Sequence, residues 1–127
     1  MNRLTITLGL PPPELAPNAR PNRWEEARAT RAYREAAALS AVVAFARRPA
    51  PHWPAAWVEA AFFFRVRRRR DRDNLLASLK AAFDGLADAG VVENDAGLVH
   101  KGVSIGQDAA RPRVELTVHP IRAEPSP

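Results

Sequence analysis

Apolar and polar residues alternate at the start of the chain, with Leu4, Ile6 and Leu8 set against Thr5 and Thr7. A period of two is that of a strand with one buried face, and Pro11 to Pro13 end it. The stretch from Glu14 to Arg23, rich in Pro, Asn and Arg, reads as a loop. From about Trp24 to Ala46 the composition favours helix, with Leu39, Val42, Val43 and Phe45 as core candidates. Arg47-Arg48-Pro49 closes that helix, because arginine suits its negative end and proline prevents continuation.

After a second loop marked by Pro49, Pro51 and Pro54, Trp57 to Arg67 reads as a strand. Val58, Ala60, Phe62, Phe64 and Val66 share one face, and the other turns from mixed to basic. Apolar residues on much of both faces place this strand inside a sheet. A helix is predicted from about Asn74 to Ala89, on the spacing of Leu75, Leu76, Leu79, Phe83 and Leu86, with Gly90 just past its end. Two more strands follow. Val99, Lys101, Val103 and Ile105 alternate with Leu98, His100, Gly102 and Ser104, and Val114, Leu116 and Val118 alternate with their own neighbours. Turn formers from Gly106 to Pro112 predict a hairpin between them. The whole is one α/β domain over residues 1–121, a mixed sheet in the order β-α-β-α-β-β with two main helices packed on it. Residues 122–127 are expected to be a flexible tail.

A chain of 127 residues with 46% apolar content can fold as one such domain. It carries 19 Lys and Arg against 14 Asp and Glu, a net charge of +5 that favours a polyanionic partner. A GC-rich genome accounts equally well for the overall arginine content, but not for its clustering between Arg65 and Arg72. Cysteine is absent, which excludes disulfides, thiolate zinc sites and cysteine nucleophiles. The N-terminal sequence lacks a signal-peptide core, and the apolar run from Ala36 to Ala46 is about half a membrane span. A soluble, cytoplasmic protein without a membrane partner is expected.

The chemistry concentrates around Asp71-Arg72-Asp73-Asn74, directly after Arg67, Arg68, Arg69 and Arg70. In extended backbone, residues two apart point the same way, so Asp71 and Asp73 can share one space. Paired carboxylates suit Mg²⁺, a hard cation that also takes phosphate and water. Equally, Asp73 or Asn74 can cap the helix that follows. Asp95, beyond Gly90, is either a third ligand or a turn acid in Asn-Asp-Ala-Gly. Lys80, two helical turns after Asp73, faces the same side or simply pairs with Asp84. A calcium loop fits poorly, since Leu75 and Leu76 stand where it needs an oxygen ligand and glycine. His52, His100 and His119 have no identifiable nucleophile partner, and no glycine-rich phosphate loop is present.

These segments, Arg69-Arg70-Asp71-Arg72-Asp73-Asn74-Leu75, Lys80-Ala81-Ala82-Phe83-Asp84-Gly85-Leu86, Ala89-Gly90-Val91-Val92 and Asn94-Asp95-Ala96, resemble the RusA-type Holliday-junction resolvases. The likeness covers roughly Arg65 to His119. The first strand and its proline-rich loop look similar but are less diagnostic. The resemblance implies a homodimeric α/β endonuclease that cuts four-way DNA junctions with Mg²⁺ and no small-molecule cofactor. It assigns Asp71, Asp73 and Asp95 to the metal site and Lys80 to catalysis. Two departures stand out. The best-known members carry the lysine three residues sooner, and they often have aspartate where Asn94 stands.

The implied reaction is phosphodiester hydrolysis. Carboxylate-held metal activates water and Lys80 neutralises transition-state charge, beside the positive end of the second helix. Arg67 to Arg70 and Arg72, with Arg28, Arg31 and Arg34 of the first helix, would track backbone phosphates or be a solvated face. The alternatives are a non-catalytic basic DNA-binding protein, and a nuclease of the same fold acting on other branched DNA.

Overall fold

The computed structural model describes residues 1–122; the rest of the expected tail, 123–127, lies outside the described residues. The main elements are β1 (Leu4–Leu8), α1 (Arg23–Phe45), β2 (Ala56–Phe64), α2 (Arg72–Ala77), α3 (Lys80–Asp88), β3 (Leu98–Gln107) and β4 (Arg113–Pro120). Single 3₁₀ turns at Pro13–Leu15 and Asp95–Gly97 complete them. The sheet is mixed, in the order β1-β4-β2-β3. β2 runs parallel to β3 and antiparallel to β4, and β4 runs antiparallel to β1.

The alternation of β1 is realised as strict burial of Leu4, Ile6 and Leu8. These residues join Val58, Ala60, Phe62, Val114, Leu116 and Val118 in one core with α1 and α3. β2 is interior, as its two apolar faces predict, because β3 and β4 occupy both its edges. Helices cover one face. The other presents Thr5, Thr7, Trp57, Phe63, Thr117 and His119, half-buried or exposed.

α1 begins at Asn22, whose side chain accepts from Glu25 N–H at 2.8 Å, a standard N-cap. It ends with Ala46 and Arg47 in left-handed backbone, and Arg48 Nε donates to the Phe45 carbonyl at 2.9 Å. α3 ends at Asp88 with Ala89 as its C-cap, and Gly90, with φ 87°, is the glycine past its end. The chain then returns beside the start of β2: His52 N–H donates to Gly90 C=O and Trp53 N–H to Val91 C=O.

Four expectations are corrected. The helix expected over Asn74 to Ala89 is two. The buried Ser78 hydroxyl donates to the Leu75 carbonyl at 2.6 Å, and Leu79 N–H bonds Leu76 C=O in a tighter turn; such back-bonding bends or breaks a helix. The strand expected to reach Arg67 stops at Phe64, where β3 also ends, and the arginines leave the sheet for water.

The hairpin between the last two strands is not formed, since β2 lies between them. The crossover through α2 and α3 lays β3 on one edge of β2, which leaves the other edge for β4. Asp108 stabilises the bridging loop by accepting from Ala110 and Arg111 N–H, both at 3.1 Å. Finally, Leu39, Val42 and Val43 are exposed at 69%, 54% and 79%. α1 instead buries Tyr33, Ala37, Ala41 and Phe45, one every four residues, because small side chains let α3 approach closely.

Candidate nucleic-acid interface and acidic cluster

β2 delivers the arginine run to one end of the sheet. Arg67, Arg68, Arg69, Arg70 and Arg72 line a cavity of about 480 Å³ with Phe64, Val66, Ile105, Gly106 and Gln107. Five guanidinium groups around one opening make a strong attractor for phosphate. Arg70 is the innermost. Its guanidinium lies 3.5 Å from the Phe64 ring centroid, and its buried Nε has no hydrogen-bond partner among the described residues. Burial, and then the charge of Arg68, lower its pKa. Both effects work against holding that charge without an anion.

Asp71 caps α2, with Oδ1 accepting from Asn74 N–H at 3.1 Å. Its other oxygen is not used by the cap. Asp73 sits in the first turn of α2, exposed. Arg72 Nε donates to the Val103 carbonyl at 3.2 Å, which anchors this helix to the middle of β3.

The break before α3 puts Lys80 at the first position of the new helix. Its Nζ lies 3.1 Å from Asp84 and 3.8 Å from Asp95, so it bridges the helix and the turn that precedes β3. Lys80 is 75% exposed, Asp95 55% and Asp84 20%. Asp84 is thus the more enclosed partner. Arg34, Asp88, Glu93 and Asn94 share the surrounding surface cavity with these three residues. Arg34 Nη2 donates to Asp88 Oδ1 at 2.8 Å and ties α1 to α3; that hydrogen bond raises the arginine pKa and lowers the aspartate's.

The structure therefore brings Lys80 and Asp95 together, and places Asp71 and Asp73 on α2. Among the described residues, no three His, Cys, Asp or Glu side chains form a group able to hold a metal ion. The donor chemistry suits Mg²⁺, as all three are carboxylates. Their placement supplies no coordination geometry.

Three features had no signal in the sequence: the Arg34–Asp88 tie, the Arg70–Phe64 stack, and the aromatic pairs on the open sheet face. There Trp57 stacks on His119 at 4.0 Å, and Arg113 lies 4.1 Å from the Phe63 ring centroid. The first and last join residues far apart in sequence or across the sheet, where local pattern is silent, and the Arg70–Phe64 stack depends on how the chain turns after β2.

No protein-family model matches the chain, and no curated protein matches it. No helix among the described residues is long and apolar enough to cross a membrane.

Proposed function

We propose that the chain is a Mg²⁺-dependent endodeoxyribonuclease that resolves four-way DNA junctions, in keeping with its resemblance to the RusA-type resolvases. The observation that carries this reading is the arginine-walled cavity, two of whose lining residues, Arg70 and Arg72, flank in the chain the Asp71 that caps α2. Cation and carboxylate side by side suit a place where a phosphate backbone meets a metal. Asp71, Asp73 and Asp95 are the residues that would hold Mg²⁺, which when bound activates water and offsets charge on the scissile phosphate.

The chain's own groups do the rest. Arg67 to Arg70 and Arg72 hold backbone phosphates without reading bases. Lys80 is within reach of Asp95 and exposed enough to contact substrate. A junction needs two symmetric cuts, so the proposed assembly is a two-fold homodimer.

A second reading, a non-catalytic DNA-binding protein, is favoured by the cap made by Asp71 and the Lys80–Asp84 pair, which are ordinary structural contacts. One experiment separates them: a synthetic four-way junction, a flap and a matched linear duplex, each with and without Mg²⁺. Paired nicks in the junction only with Mg²⁺ support the nuclease. Salt-sensitive binding without nicks supports the second reading. Equal cutting of flaps points to a nuclease for other branched DNA.

A further inference from the structure

Arg70 is a wall between two cavities. On one side is the arginine-lined opening; on the other is a cavity of about 380 Å³ between the proline-rich loop after β1 and the junction of β2 with α2. Leu10, Pro11, Pro12, Phe64 and Leu75 give this second cavity apolar walls, and Asn74 adds an amide. Consecutive prolines hold their backbone nearly fixed, so the wall they form needs little ordering when a ligand enters.

We propose that this second cavity takes one unpaired nucleotide of a DNA strand, with the base between the proline-rich loop and Leu75 and its flanking phosphate on the arginines beyond Arg70. The inference rests on the reading of the chain as a DNA-acting protein and gives that site a preference. A base is flat and weakly polar on its faces, with donors and acceptors only at its edges. Apolar walls with an amide and a guanidinium at the margin fit that distribution. Arg70 is placed to serve both parts of the nucleotide. Its plane lies against Phe64, and its buried Nε lacks a partner among the described residues. The volume falls near the lower end of the roughly 300–1,000 Å³ usual for small-ligand sites. It admits one nucleoside and excludes a base pair within a duplex. The adjoining arginines supply the charge complementarity that selects a nucleotide over an uncharged apolar ligand.

The test uses the full chain without Mg²⁺, so that nothing is cut. Three duplexes are compared: one with a single unpaired 2-aminopurine, its fully paired counterpart, and one with an abasic site in place of the unpaired base. The unpaired base should bind about tenfold more tightly than the abasic site, with a saturable change in 2-aminopurine emission. Equal affinity for all three with unchanged emission would overturn the proposal, while tight salt-sensitive duplex binding would leave the DNA reading standing. Failure to bind any of them would remove both. Ala16→Trp fills the cavity from the loop and leaves the arginines untouched. It should reduce affinity for the unpaired base to that for the abasic site and leave paired duplex unchanged; a retained preference would count against the cavity. Should that variant not fold, the abasic comparison on the natural chain decides alone.

Discussion

Lys80 is where the catalytic and the merely structural accounts diverge most. A lysine pairing with Asp84 four residues on contributes at most a few tenths of a kcal/mol at an exposed position. A lysine that offsets charge on a transition state is worth a factor of about 100 or more in rate. Lys80→Ala should therefore slow single-turnover junction cleavage by about 100-fold and leave junction affinity within a small factor. An unchanged rate would return Lys80 to the role of a surface partner. Asp73→Asn should abolish cleavage and keep or tighten binding, because it removes a negative charge facing phosphate; near-normal nicking by that variant would sink the metal-site proposal. His100 offers a test of the fold itself. Its ring packs on Phe83 at 4.6 Å, and partial desolvation at this otherwise exposed strand position lowers its pKa below the ordinary 6.5. The neutral form is thus preferred in the folded state. Its contribution is fully present above about pH 6.5 and is lost as pH falls below that value through the depressed folded pKa. Urea denaturation at pH 8 and pH 5 should show a larger loss for the natural chain than for His100→Gln. At this scale the sequence named Asp71, Asp73, Lys80 and Asp95. It named Arg70 with the neighbouring arginines but was silent on its stack with Phe64, which is defined only once the arginines have turned out of the sheet.

Elements were legible where their signal was local. The alternation in β1 and β4 follows from one face being buried, α1 follows from its alanine-rich composition, and the structure places all three within a residue or two. The failures were non-local. A lone serine in an apolar helical pattern gives no warning of a break, yet buried Ser78 divides α2 from α3. Strand order is decided by the crossover after β2, not by the turn formers from Gly106 to Pro112. The burial of α1 is decided by what faces it. Its small-residue stripe meets α3 at Gly85, where an added Cβ would stand 2.2 Å from the Arg34 carbonyl oxygen and 2.9 Å from Ala37 Cβ. Neither the Arg34 backbone nor the alanine can rotate away. Gly85→Ala should therefore destabilise the domain by about 3 kcal/mol, although alanine is intrinsically the better helix former. Chemical denaturation reads this directly, and a neutral or stabilising result would mean that α1 and α3 do not pack this closely.

Viewed as a whole molecule, α1 is apolar on a side that none of the described residues covers. Leu39, Val42 and Val43 lie at spacings of three and four on one helix face, and all are more than half exposed. Phe45, one of the core candidates in the sequence, is committed to the core at 4% exposure. Phe63 is half-buried beneath the Arg113 guanidinium, which Asp108 and Glu115 hold in place. The homodimer proposed for two symmetric cuts therefore has its best apolar contact on α1. Three exposed aliphatic residues in a row are more than scattered surface residues normally supply, and a two-fold axis through such a face buries it against its own copy. Val43→Glu places a charge in that contact. It should convert a dimer to a monomer in sedimentation at micromolar concentration, with the unfolding stability of the monomer changed by no more than about 0.5 kcal/mol, since the position is outside the core. The same variant should nick a junction on one strand and fail to complete the paired second cut within a single binding event. A natural chain that sediments as a monomer while still making paired cuts would contradict the dimer, and a Val43→Glu chain that remains dimeric would move the interface away from α1.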